Sequence, residues 1–182
     1  MAHKEYESRK EPMRAAATVG VFIKDHAGNI LLVQEATGRE NKWSPVYGFV
    51  NIEDHEFPHQ AAIREVKEET GLDVQLTNLL GIFHYYDDLD RLQTAYAYEA
   101  TITGGGLNLQ TEEIQQALFF RPEQIHELFM QNNIRVPHIN RTSFNLWKQG
   151  NRYPLSLVQN VDYSLVDRYK PARKSPVLQD SV

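Results

Sequence analysis

HEFPHQAAIREVKEETGL, residues 55 to 72, contains two overlapping metal-binding patterns, and the expected fold depends on which one is real. From its left end, His55-Glu56-Phe57-Pro58-His59 is the His-Glu-x-x-His string of zinc proteases, which requires both histidines on one face of one helix. From its right end, Arg64-Glu65-Val66-Lys67-Glu68-Glu69-Thr70-Gly71-Leu72 reads as a carboxylate-rich helix closed by a C-terminal glycine. Pro58 separates the two. A proline inside a helix costs about 3 kcal/mol, through its missing N–H and a clash with the preceding turn, but is nearly free in the first turn. The helix is therefore expected to begin near Pro58 and to leave His55 in the loop before it. The extended zinc-protease pattern also fails, because Ala62 and Glu65 occupy the positions of its glycine and third histidine.

On that helix Glu65, Glu68 and Glu69 stand at i, i+3 and i+4, which brings their carboxylates out on one face. Like charges so placed repel by some tenths of a kcal/mol per pair. Spacing alone admits two readings. One is a solvated acidic face partly offset by Arg64 and Lys67; the other is a site for Mg²⁺ or Mn²⁺, hard cations that favour carboxylate oxygen.

The wider string chooses between them. Glu56, then seven residues, then Arg64-Glu65, an aliphatic residue, any residue, Glu68-Glu69, any residue, Gly71 and an aliphatic residue resembles the signature of the Nudix (MutT-like) hydrolases, complete from Glu56 onward. The front departs from the signature: seven residues separate Gly48 from Glu56 instead of five, as if Asn51-Ile52 were inserted, and Val50 occupies the strict glycine position. The resemblance implies a Nudix-type α/β/α sandwich with a mixed β-sheet. It also implies divalent-metal-dependent hydrolysis of a phosphoanhydride in a nucleoside di- or triphosphate or related diphosphate, by water attack. Carried over by position, Glu65, Glu68 and Glu69 become metal ligands, with Gly48 contributing through its backbone, and Glu65 or a metal-bridging water arrangement stands nearest the base role. Arg64 would orient the glutamates and Glu56 would buttress Arg64. A further acidic ligand often follows the later strands, where Thr111-Glu112-Glu113 lies, and Glu113 is its first choice. Tyr85 and Tyr86, with Phe83 and Trp43, are candidates for stacking a base or other ring. The stretch Gln149-Gly150-Asn151-Arg152-Tyr153-Pro154-Leu155 is similar to the C-terminal part of the NudJ-type phosphatases within the same family.

The rest of the chain fits an α+β or α/β domain. Ala15 to Lys24 and Ile30 to Gln34 read as strands around the turn Asp25-His26-Ala27-Gly28-Asn29. Trp43 to Val50 reads as a short strand with a bend at Pro45 and Gly48. Val74 to Tyr86 and Leu92 to Thr103 form two β-rich runs around residues 87–90, and Gly104-Gly105-Gly106 reads as a flexible break. A strand at Ile114 to Phe120 and helices from Pro122 to Met130 and Pro137 to Gln149 follow. The expected organisation is an N-terminal extension at 1–13, one Nudix-like domain at 14–158 and a C-terminal tail at 159–182.

Hydrophobic and charged fractions of 41% and 24% are those of an ordinary globular domain, so neither a disordered nor a fibrous chain is expected. The absence of cysteine excludes disulfides, thiolate zinc sites and a catalytic thiol. A net charge of −5 argues against a nucleic-acid polymer as partner, and no apolar run reaches the roughly 18 residues of a membrane span. The expectation is a cytoplasmic monomer or homodimer acting on a small phosphorylated substrate. Two rivals remain at this point: a Nudix-fold ligand-binding or regulatory domain without activity, and more remotely the zinc protease. Regulatory relatives commonly lose helix carboxylates, all of which this helix retains.

Overall fold

A computed structural model describes residues 16–36, 41–86, 90–110 and 112–161. The expected extension at 1–13, most of the tail, residues 87–89 of the acidic turn and Thr111 lie outside the described residues. Seven strands form one mixed sheet: β1 (Ala16–Lys24), β2 (Ile30–Glu35), β3 (Trp43–Ser44), β4 (Val46–Phe49), β5 (Leu72–Tyr86), β6 (Leu92–Gly105) and β7 (Ile114–Phe120). Among the described residues three α-helices accompany it: α1 (Pro58–Thr70), α2 (Pro122–Met130) and α3 (Pro137–Lys148). Among the described residues no helix is long and apolar enough to cross a membrane.

The β1–β2 turn sets the shape of the sheet. Asp25 accepts hydrogen bonds from the backbone N–H groups of Ala27 and Asn29 and from the Asn29 side chain, while Gly28 takes φ +84°. The two strands meet only where Lys24 faces Ile30, and beyond that point they diverge. β4 then pairs antiparallel with β1, placing Gly48 opposite Val19, and β7 pairs antiparallel with β2. The other edge of β1 pairs in parallel with β6 from Ala16–Gln93 to Lys24–Thr101. β1 is thus an interior strand covered on both faces, which is why it reads as a nearly continuous apolar run.

Alternation along these strands separates two cores. Val19, Val21, Ile23, Leu31 and Val33 face α1, whose Ala61, Ala62 and Val66 are buried against them. Phe22, Ile30 and Leu32 face the other way, onto Ile125 and Phe129 of α2 and Phe144 of α3. Helices on both faces of a mixed sheet make the α/β/α sandwich expected from the sequence.

Two local readings change. Pro45 divides Trp43–Val50 into two short strands that pair with different partners, since proline lacks the ladder donor. Gly104 and Gly105 continue β6 opposite Asp73 and Leu72 and are not a flexible break. Glycine is required there because a Cβ on Gly105 would overlap the Gly71 carbonyl oxygen, and one on Gly71 would approach that of Gly106 to 2.8 Å. The string Gln149–Leu155 holds the end of α3 to the sheet. Arg152 donates Nε to Glu99 Oε2 at 2.8 Å and Nη2 to Oε1 at 2.9 Å, while Tyr153 exchanges two 2.9 Å backbone hydrogen bonds with Leu79.

Glu99 is 2% exposed and also accepts from Trp147 Nε1 and Asn78 Nδ2, both at 2.9 Å. Burial works to raise its pKa, but the bonds from Arg152 and Asn78 prevail and hold it below the ordinary carboxylate value. Removing one partner of a buried pair costs about 3–5 kcal/mol, because the other charge is left uncompensated. Glu99→Gln should therefore lower unfolding free energy by about 3 kcal/mol in urea titrations; a loss below about 1 kcal/mol would mean that the network is solvated and not structural.

Candidate active site

Pro58 opens α1 and the Phe57 N–H caps onto Gln60 Oε1 at 2.9 Å. The helix ends where Gly71, at φ +75°, returns its N–H to the Lys67 carbonyl. Lys67 completes this end by donating to the Gly71 carbonyl and pairing with Asp73 at 2.8 Å, a cation where the helix dipole favours one. His55 lies before the helix in a left-handed conformation, φ +58°, at the end of a 3₁₀ turn formed by Ile52–Asp54. His59 Nδ1 accepts from the Asn160 side chain at 3.2 Å. The two histidines of the protease string therefore do not share a helix face.

The two extra residues before Glu56 are absorbed locally. Asn51 donates its N–H to Glu56 Oε2 at 2.8 Å and accepts the Glu56 N–H at 3.2 Å, closing residues 51–56 around the 3₁₀ turn. Glu56 thus still faces Arg64, accepting Nε at 2.7 Å and Nη2 at 2.9 Å. Arg64 uses its remaining donors on the Phe49 carbonyl at 2.9 Å, Glu65 Oε1 at 2.8 Å and Glu68 Oε2 at 2.9 Å. All five N–H groups of the guanidinium fork are occupied. The guanidinium in turn holds the Glu56 carboxyl below the ordinary carboxylate range, more than offsetting its burial.

Gly48 lies directly beneath Glu65. A Cβ built on Gly48 would fall inside the Glu65 carboxyl group, so the glycine leaves the space that this carboxyl occupies. Burial, ahead of the opposing Arg64 contact, raises the Glu65 pKa, and the charges of Glu68 and Glu56 push the same way.

Glu69 differs from its neighbours. It is 7% exposed, and its Oε2 is buried without a hydrogen-bond partner. Its pKa is pushed up to about 8, first by burial and then by the charges of Glu65, Glu113 and Glu68. Glu113 reaches this neighbourhood because the loop before β7 packs on the end of α1, with Asn108 N–H on the Thr70 carbonyl and Gln110 N–H on that of Glu69.

A hard divalent cation suits this donor set: carboxylate oxygens, an orphaned buried acceptor and a glycine cradle beside Glu65. Among the described residues no three acidic or histidine side chains already stand close enough to cage an ion, since Glu65 and Glu68 turn to Arg64.

The aromatic candidates separate. Trp43 is 8% exposed, packs edge-on to Phe120 and belongs to the second core, where little of its ring is left for a ligand. Phe83 packs against that core as well. Tyr86 is 68% exposed. Tyr85 lies 3.4 Å, hydroxyl to hydroxyl, from Tyr47, which bonds Thr18 Oγ1 at 2.7 Å, and its ring meets His138 edge-on. Tyr47 and the Phe49 carbonyl escaped the sequence reading, although both flank Gly48 on β4 and that adjacency was the available signal.

A family model described as the NUDIX domain matches residues 14–140. The chain belongs to the Nudix family. Nudix hydrolase 2 of Arabidopsis thaliana is 30% identical over 122 residues, 63% of this chain and 42% of that protein, so the match spans less than half of this curated relative. Among solved structures, a NUDIX hydrolase from Nitrosomonas europaea superposes with a TM-score of 0.70 at 26% identity, covering 81% of this chain and 98% of that one. A MutT protein from Methanosarcina mazei Go1, at 19% identity and TM-score 0.62 over 80% of this chain and all of that one, shares the Nudix fold.

Two outcomes test this geometry. The folded protein holds the Glu69 proton more tightly than the unfolded chain, whose value is near the ordinary 4.5, so this contribution to stability is full below about 4.5 and is lost as pH rises through about 8. In chelator, urea unfolding of the wild type should show a decline on the order of a few kcal/mol across that window, much smaller in Glu69→Gln, where Glu65 still keeps a raised pKa; equal slopes would contradict the assigned burial. Gly48→Ala should displace the flexible Glu65 carboxyl while leaving the melting temperature nearly unchanged, and should weaken Mn²⁺ binding by about 10- to 100-fold in calorimetric titration.

Proposed function

We propose that the protein hydrolyses a phosphoanhydride bond in a nucleoside di- or triphosphate or a related small diphosphate by water attack, with Mg²⁺ or Mn²⁺ as cofactor. The observation that carries this reading is the buried, unpartnered Oε2 of Glu69, on which the charges of Glu65, Glu113 and Glu68 all bear. An acidic cluster so placed is costly unless a cation completes it. Glu65, Glu68 and Glu69 would hold that cation, with Glu113 and the Gly48 carbonyl as further donors. When bound, a divalent ion supplies the concentrated positive charge that a polyphosphate requires and lowers the pKa of water.

The chain's own residues do the rest. Arg64, fixed by Glu56 and the Phe49 carbonyl, sets the orientation of the Glu65 and Glu68 carboxylates. Glu65, with its pKa raised by burial, is suited to accept a proton from the attacking water. Tyr85, with Tyr47 beside it, offers a surface for the ring of the substrate. The cytoplasmic location and the monomeric or homodimeric state expected from the sequence accompany this reading.

The test is a metal-supplemented screen over nucleotides, nucleotide sugars, dinucleoside polyphosphates and thiamine-related diphosphates, with phosphate, pyrophosphate and monophosphate resolved as products. Chelation should abolish turnover. Glu68→Gln and Glu69→Gln should each lower kcat by at least about 100-fold with the fold intact, whereas His55→Ala and His59→Ala stay within a few-fold of wild type. Loss of activity in His59→Ala, with Glu69→Gln unaffected, would overturn the assignment. Thermal melts of all four variants separate lost chemistry from lost structure.

A further inference from the structure

On the flank of α1 turned away from Glu65 and Glu68, a cavity of about 470 Å³ opens between the helix, β5, β6 and the segment after α3. His59 and Ile63 of α1, Leu76 of β5, Tyr98 of β6, and Leu155 and Val158 contribute to its walls. The volume falls within the range of about 300–1,000 Å³ typical of small-molecule sites. His59, which the metal chemistry leaves unused, joins Asn160 across the rim and ties the helix to the C-terminal segment.

Two observations define what would fit. Tyr98 is 2% exposed, and its hydroxyl is buried with no hydrogen-bond partner, an arrangement that is costly unless an acceptor arrives. Among the described residues, no Asp, Glu, Lys or Arg lines the cavity. A polyphosphate would lose its hydration there with nothing to replace it. The occupant therefore differs in class from the substrate of the carboxylate site.

We propose that this cavity binds an uncharged, mainly apolar small molecule that presents one hydrogen-bond acceptor to the Tyr98 hydroxyl. Quinoline, a neutral bicyclic ring with one acceptor nitrogen, serves as the probe, titrated into the full chain carrying ¹³C-labelled methyl groups. The methyls of Ile63, Leu76, Leu155 and Val158 should shift while those of Leu32 in the second core stay still. Tyr98→Phe, which keeps the ring, should weaken binding by about 3- to 10-fold, the effect of one net hydrogen bond. Val158→Phe, which narrows the cavity from its edge, should abolish the shifts without lowering the melting temperature. Methyls that stay still at millimolar quinoline, shifts spread over both cores, or full affinity in a folded Tyr98→Phe would each overturn the proposal.

Discussion

The concentration of negative charge on α1 constrains everything around it. Glu65, Glu68 and Glu69 share one helix face, Glu113 approaches from the loop before β7, and Glu69 is buried. Arg64 is the cation bonded directly to Glu65 and Glu68, and all its donors are in use. Such a cluster persists in a marginally stable fold only if the surrounding structure over-determines it. The constraint therefore falls on the two cores and on the loop that supplies Glu56.

The sandwich meets it by fixing α1 at both ends and along one side. Ala61, Ala62 and Val66 seat the helix on β1, β4 and β5; the small side chains at its start let the backbone approach the sheet closely. At the far end Gly71 and Gly105 bring two backbones nearer than any Cβ would permit. That close contact positions the loop carrying Glu113 against the last turn. On the opposite face, the Glu99–Arg152 pair ties the end of α3 to β6 and β5, so the C-terminal segment also braces the sheet on which α1 rests.

Much of this is legible in the sequence, and the reasons are physical. Pro58 and Gly71 mark α1 because one lacks a donor that the first turn does not need and the other tolerates the left-handed conformation of the last. The helix runs Pro58–Thr70 between them. The i, i+3, i+4 spacing placed three carboxylates together because helical geometry is local. What could not be read depends on distant residues. Trp43 reads in the sequence as a candidate ligand-facing aromatic, yet its position is set by Phe120 and Ile134, far along the chain. Arg152 sat in a string that suggested a family branch, and only the β6 register reveals Glu99 as its partner. The glycine run at 104–106 carries no local sign that Gly71 would pack against it.

The departure ahead of Glu56 shows how local rules can preserve a distant geometry. Two additional residues within a strand would shift its register and give every later residue a new cross-strand partner. Here they fall after β4 has ended at Phe49, in a 3₁₀ turn whose ends, Asn51 and Glu56, bond to each other. The register that puts Gly48 opposite Val19 is therefore unaffected, and Gly48 still lies under the Glu65 carboxyl. The Phe49 carbonyl, one residue on, still meets Arg64. Sequence spacing between Gly48 and Glu56 is thus a poor measure of whether the site is intact. What the site requires is that Gly48 and Phe49 remain in β4 while Glu56 remains within reach of Arg64, and a self-closed turn of variable length satisfies both conditions.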